Sequence, residues 1–258
     1  MARIVSIAFR IGLFILASAL AAQPPNLAKL VAEREGKARE ARMSYTYRQE
    51  VLIEEMSPKS GRAGQYTEVR EVVFSPSGER TERMVGRPFQ SLVRLRLTPE
   101  DFRDIRDIQP FLFTGEELWQ YETKLRGEEK ADGVDCWLLQ VRPRQTHQGQ
   151  RLFDGIFWVD KRDYSVVKTE GVAVPQIYSK SGENLFPRFT TFREKVDGHW
   201  FPVHTHSDDT LEFSNGPMRT RMTIQYKNYR RFGAESTITF GDPVPTANPA
   251  PAPAPAKD

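Results

Sequence analysis

The sequence predicts a mainly β, α+β protein built on one large antiparallel sheet with a few short helices. Three observations carry that prediction. From Tyr45 onward apolar and polar residues alternate with period two, the alternating runs are separated by tight-turn dipeptides, and no long helical crossover comes between them. Successive hairpins of this kind give a sheet wide enough to curl, with helices left over to cover its hollow side. The composition, 39% hydrophobic and 28% charged over 258 residues, is that of a folding chain and not a disordered one. The single Cys136 excludes a disulfide scaffold.

The ends of the chain are expected to lie outside the fold. Residues 1–21 read as a signal peptide, with Arg3 and Arg10 in a positive n-region, an apolar run from Ile11 to Leu20, and Ala19-Leu20-Ala21 as a small-residue cleavage site. The run is too short for the ~20 residues that cross a bilayer core. No cysteine follows it for lipid attachment, so the expected location is periplasmic or secreted, with transient membrane contact only. Removing Arg3 and Arg10 from the 37 basic residues leaves 35 against 34 acidic ones, which gives no electrostatic reason to expect a nucleic-acid partner. Residues 241–258 hold six of the 18 prolines and end in NPAPAPAPAKD, an extended Pro/Ala-rich tail with nothing to bury. The folding unit is then 22–240.

Within that unit, Asn26 to Arg42 suits a helix. An asparagine able to cap follows two prolines, and Leu27, Leu30, Val31, Ala38 and Ala41 fall near one stripe. Strands follow from Tyr45 to Ile53, Tyr66 to Phe74 and Glu79 to Met84. Thr98-Pro99-Glu100-Asp101 then opens a helical interruption with a capping Thr, Pro at the first helical position and an acid three residues on. Thr114 to Glu117 suggests another short helical turn. The remaining strands run over Leu118–Leu125, Cys136–Val141, Leu152–Val159, Tyr164–Val174, Arg188–Val196, His199–Ser207, Leu211–Phe213, Met218–Tyr229 and Thr237–Phe240, with Asp132-Gly133 and Asp197-Gly198 as turns. Most of these strands are joined as hairpins. No repeat of fixed period marks a propeller.

Residues able to do covalent chemistry are sparse. His204 and His206 share one face of a strand, with Asp208 on that face and His199 at its start, which would suit two metal ligands; solvent-facing strand histidines explain the pattern as well. There is no G-x-S-x-G elbow, phosphate loop or dinucleotide fingerprint, and Cys136 beside Trp137 reads as a buried thiol. No catalytic residue, metal or cofactor is therefore assigned. The aromatic residues are more informative. A curved sheet lined by Phe111, Phe113, Trp119, Trp137, Phe157 and Phe189 could leave an apolar cavity under its helices, or those residues could fill the core. Alternation puts Phe157 and Val159 on one face and Trp158 on the other.

The order of elements carries a family resemblance. An amphipathic helix, long strands and a helical insertion precede Gly155-Ile156-Phe157-Trp158-Val159-Asp160, its partner strand Ser165 to Gly171, and the late hairpin Thr190 to His206 with Asp197-Gly198-His199-Trp200-Phe201-Pro202. This resembles the LolA/LolB-like superfamily of periplasmic outer-membrane lipoprotein-sorting proteins. The resemblance implies an unclosed β-barrel with helices as a lid over an apolar cavity, holding a lipid or an acylated lipoprotein without metal, cofactor or covalent chemistry. The resemblance also implies a characteristic Arg-to-helix latch, for which the sequence alone singles out no arginine. Two other readings remain open. One is a ligand-free module that docks on an envelope protein partner; the other is a metal-dependent hydrolase built on His204 and His206.

Overall fold

The computed structural model describes residues 24–231, apart from 59–60, 76, 148 and 180–181. The expected signal peptide, tail and last strand, Thr237–Phe240, lie outside the described residues.

The chain starts with α1 (Leu27–Arg42). Asn26 occupies the N-cap position but in the left-handed region, with φ 66°, and its side chain caps nothing. Packing therefore holds this helix more than its cap does. Leu27, Val31, Ala32 and Ala38 form one buried stripe, and burying each of the two larger side chains is worth roughly 1.5–3 kcal/mol.

Eleven strands make one antiparallel sheet: β1 (Tyr45–Ser57), β2 (Gly61–Phe74), β3 (Arg80–Met84), β4 (Phe89–Gln90), β5 (Tyr121–Ala131), β6 (Val134–Pro143), β7 (Leu152–Asp160), β8 (Val166–Val174), β11 (Phe189–Val196), β12 (His199–Phe213) and β13 (Gly216–Arg231). Between β8 and β11 a separate two-stranded hairpin is formed by β9 (Ile177–Ser179) and β10 (Gly182–Asn184). The order across the large sheet is β3-β2-β1-β13-β12-β11-β8-β7-β6-β5, with β4 on β2. Its ends, β3 and β5, do not pair with each other, so the sheet is a curved, open half-barrel, as expected.

One face of the sheet is covered. Over it lie α1 and the segment between β4 and β5, which contains α2 (Pro99–Arg103), a π-helical turn (Asp104–Ile108) and a 3-10 turn (Leu118–Gln120). Thr98 caps α2 with the reciprocal Thr98–Asp101 bonds that its sequence predicts. Period-two alternation sends Tyr47, Val51 and Ile53 of β1, Phe153, Phe157 and Val159 of β7, and Met222, Ile224 and Tyr226 of β13 into one apolar core beneath this cover. The opposite face carries a smaller cluster of Ala131, Cys136, Trp158 and Val167. Trp158 and its neighbours Phe157 and Val159 thus separate as alternation requires.

Two expected boundaries move, each for a local reason. Leu118 to Gln120 is a 3-10 turn and the strand begins only at Tyr121. Upstream, the Glu117 carboxylate accepts from the Thr114 N–H and hydroxyl, which keeps the chain turning through this stretch. The polar run Asp208 to Thr210 looks like a loop in sequence, yet it stays in register with Arg219 to Arg221 and joins His199–Ser207 and Leu211–Phe213 into the single strand β12. Asp208 accepts from both Arg219 and Arg221 across that pair, which holds its carboxyl well below the usual range, at about 2.

Candidate functional site

The covered face is an aromatic core closed by a polar fastening. Phe113, Phe153, Phe157 and Phe189 are fully buried, and Phe111 stacks on Phe153 at 5.7 Å between ring centroids. Phe113 meets Tyr121 and Phe157 edge-on at 5.6 and 5.9 Å. The covering segment thus drives two phenylalanines into the sheet, where offset and edge-to-face pairs add roughly 0.5–1.5 kcal/mol each beyond their area. Phe153 lies flat because β7 and β8 present Gly155 opposite Gly171, and a Cβ at either would stand 2.5 Å from the Phe153 ring.

Four side chains of the sheet and its turns pin this cover from beneath or beside it. Arg193 of β11, only 1% exposed, donates to both oxygens of Glu35 on α1 at 3.0 and 2.8 Å and to the Phe111 carbonyl at 2.6 Å. A single guanidinium therefore holds the helix and the aromatic strap together. Burial pushes the Glu35 carboxyl up, and the Arg193 charge pulls it back down. Arg151, ahead of β7, binds Asp104 of the π-helical turn and donates to the Pro175 carbonyl. Burial is the larger influence on Asp104, whose carboxyl is pushed up to about 6. Glu55 of β1, also buried, accepts from the backbone N–H groups of Val93, Arg94 and Leu95 at 2.8–3.1 Å. Thr191 of β11 donates to the Gln109 carbonyl at 2.9 Å.

Recesses open at the margins of the core. One of about 300 Å³ lies between the start of α1 and β5, walled by Leu27, Leu118, Leu125 and Leu139. Another of about 320 Å³ lies where β10 meets the β12–β13 hairpin, walled by Leu95, Leu185, Phe213 and Met218. A narrow apolar throat of about 30 Å³, lined by Ile53, Leu97, Phe186 and Met222 among others, adjoins the second. Recesses of this size are in the lower range of small-ligand sites.

The six aromatic residues singled out from the sequence are placed as follows. Phe111, Phe113, Phe157 and Phe189 meet in the central core, and Trp137 joins it at the flank, stacked on Tyr164 at 5.8 Å. Trp119 sits on the 3-10 turn with 75% of its surface exposed. Arg193, Glu35, Asp104, Arg151 and Glu55 were missed by sequence reading. The one available signal was a glutamate in the apolar stripe of α1 and an arginine at an inward position of β11. His204 and His206 lie on the open face, His204 stacked on Phe192 at 6.0 Å, and burial pulls the His204 imidazole below its usual range. Among the described residues no three potential ligands gather around a metal-sized space. Cys136 is buried, and burial raises its thiol to about 11. Among the described residues no helix is long and apolar enough to cross a membrane.

A family model described as an "uncharacterized protein" matches residues 70–233. No curated protein matches the chain significantly. Among solved structures, the chain is similar to a LolA superfamily protein from Nitrosomonas europaea at 17% identity, covering 80% of this chain and 94% of that one with a TM-score of 0.36. It is similar to an outer membrane lipoprotein-sorting protein domain from Vibrio parahaemolyticus at 13% identity, 78% and 92% coverage and a TM-score of 0.37. A third is the MucA/MucB complex of Pseudomonas aeruginosa, at 13% identity, 81% and 100% coverage and a TM-score of 0.24. Matched by that family model over well more than half its length, the chain belongs to the family the model describes.

Proposed function

We propose that the protein is an exported carrier or sensor that takes a lipid or lipoprotein acyl chain between the sheet and its cover, without covalent chemistry. The observation that supports this reading most is the Arg193 fastening. The cover meets the sheet through apolar side chains in the middle, while a few polar contacts, chiefly Arg193 to Glu35 and Phe111, hold it shut. An apolar interior closed by replaceable polar contacts suits a cargo that offers only apolar area. Each buried CH₂ returns roughly 0.8 kcal/mol, so an acyl chain can displace Phe111 and Phe113 from the core once the fastening opens. The five aromatic residues gathered at this face, Phe111, Phe113, Trp137, Phe157 and Phe189, are proposed to line the space the chain enters. The unit that does this is 22–240, released by cleavage after residue 21.

The test is mass spectrometry of solvent extracts from protein purified without detergent, followed by titration with a fluorescent fatty acid. The expected result is a stoichiometric phospholipid or acylated peptide, or saturable uptake of the probe. An empty protein that also refuses the probe overturns the reading and favours a filled domain that acts by docking on an envelope protein.

A further inference from the structure

The recess between β10 and the β12–β13 hairpin carries charge of both signs around its apolar wall. We propose that it is a headgroup subsite for a zwitterionic amphiphile, one whose phosphate and ammonium sit a short linker apart; this rests on the acyl-chain reading above.

The positive side is Arg94 and Arg96, which line the recess. Among the described residues the Arg94 guanidinium donates only to the Asn215 side chain and to the carbonyls of Asn215, Gly216 and Pro217, so its charge meets no carboxylate there. Arg96 has no hydrogen bond or ion pair among the described residues. Two cations with no counter-ion among the described residues, at the mouth of an apolar pocket, suit a phosphate, whose oxygens a guanidinium fork can take in pairs.

The negative side is Glu183 and Asn184 of β10. The Glu183 carboxylate accepts from the Ser214 N–H and hydroxyl at 2.9–3.0 Å and meets no cation among the described residues. Asn184, 8% exposed, donates through its amide nitrogen to the Thr98 hydroxyl at 2.8 Å and to the Asp101 carboxylate at 3.1 Å. Those two bonds fix which way the amide points and leave its buried Oδ1 without a donor. An ammonium has three donors and no acceptor, which is the complement of the Glu183 carboxylate.

The two signs together select against simpler ligands. A purely anionic head would meet Glu183 and Asp101 as well as the arginines, and a purely cationic one would meet Arg94 and Arg96. The position of the recess also gives the rest of an amphiphile somewhere to go. It shares Leu95, Asp101 and Leu185 with the apolar throat, whose Phe186 and Met222 belong to the central core. A head held here directs its chain toward the face under the aromatic strap.

The experiment compares binding of lysophosphatidylethanolamine, lysophosphatidylglycerol and monoacylglycerol of one chain length, below their micellar concentrations, and of free phosphoethanolamine, to the full chain. Lysophosphatidylethanolamine should bind about tenfold or more tighter than the other two amphiphiles, the advantage of one or two charge-assisted hydrogen bonds. Arg96→Gln and Glu183→Gln should each cut that preference to about threefold or less and leave monoacylglycerol binding unchanged, while free phosphoethanolamine binds only weakly. Equal affinity for the three heads, or a preference unmoved in both variants, overturns the subsite and leaves the acyl-chain reading standing. Free phosphoethanolamine binding as tightly as the lysolipid also overturns it, since the pocket would then serve a soluble ligand. Failure of all three amphiphiles to bind overturns both.

Discussion

Gly155 and Gly171 stand directly opposite each other on β7 and β8, and the Phe153 ring lies over the space their side chains would occupy. A Cβ on Gly155 would come within 2.1 Å of the Glu170 carbonyl oxygen, and one on Gly171 within 2.5 Å of the Asp154 carbonyl oxygen. Neither contact can be relieved by turning a side chain. Gly155→Ala and Gly171→Ala should each lower stability by about 1–3 kcal/mol or more, the range for overpacked cores. Chemical denaturation measures this, and a loss under about 0.5 kcal/mol in both, the scatter of ordinary surface changes, would show that the strands can move apart.

The Arg193–Glu35 pair predicts a non-additive cycle. Arg193→Met or Glu35→Met alone leaves the other charge buried, which typically costs about 3–5 kcal/mol. The double variant removes both charges and should recover most of that loss, because an apolar pair fills the same space. It should also keep the fold while loosening the strap, since the Phe111 carbonyl loses its donor. Additive losses in a double-mutant cycle would mean that the two side chains act separately.

Asp104 gives a pH dependence of unusual sign. Its carboxyl titrates near 6 in the fold, well above its ordinary 3.8, so the native state holds the proton more tightly than the unfolded chain. The stability this contributes is fully present below about pH 4 and is lost as pH rises through about 6, up to about 3 kcal/mol in all. Comparing wild type with Asp104→Asn by thermal unfolding between pH 7.5 and 4.5, the difference should shift in favour of wild type on acidification. A difference that is flat, or that shifts the other way, would show that the Arg151 charge outweighs burial.

Cys136 supplies a probe of the open face. With the thiol buried and raised to about 11, alkylation at pH 8 should be on the order of 100-fold slower in the native protein than in denaturant, from the thiolate fraction alone. Comparable rates in the two states would mean that the Trp158 cluster opens readily.

The sheet was legible in the sequence because its signals are local. Alternation, Asp-Gly turns and the Thr98 capping box each lie within a few residues of what they specify, and the helix at residues 27–42 was found to within one residue. The fastening was not legible because its partners are far apart in the chain. Glu35 and Arg193 are separated by 158 residues and Asp104 and Arg151 by 47, and no periodicity links them. Trp119 shows a local failure of the same reading. Its neighbours look like strand, but the Thr114–Glu117 turn carries the chain around by another three residues, and that turns the indole outward.

The strand order has a consequence for how the chain comes to be folded. β1 lies between β2 and β13, pairing Tyr45 with Arg231 and Met56 with Arg219, so one whole edge of the first strand waits for the last strand described. Delivered amino end first, the chain can close its early hairpins within microseconds, but the seam that joins them to the rest cannot form until residue 231 has emerged. For that interval β1 is a long, unpaired edge, and the alternating charges Arg48, Glu50 and Glu54 along it guard it against pairing with a neighbour before its own partner arrives.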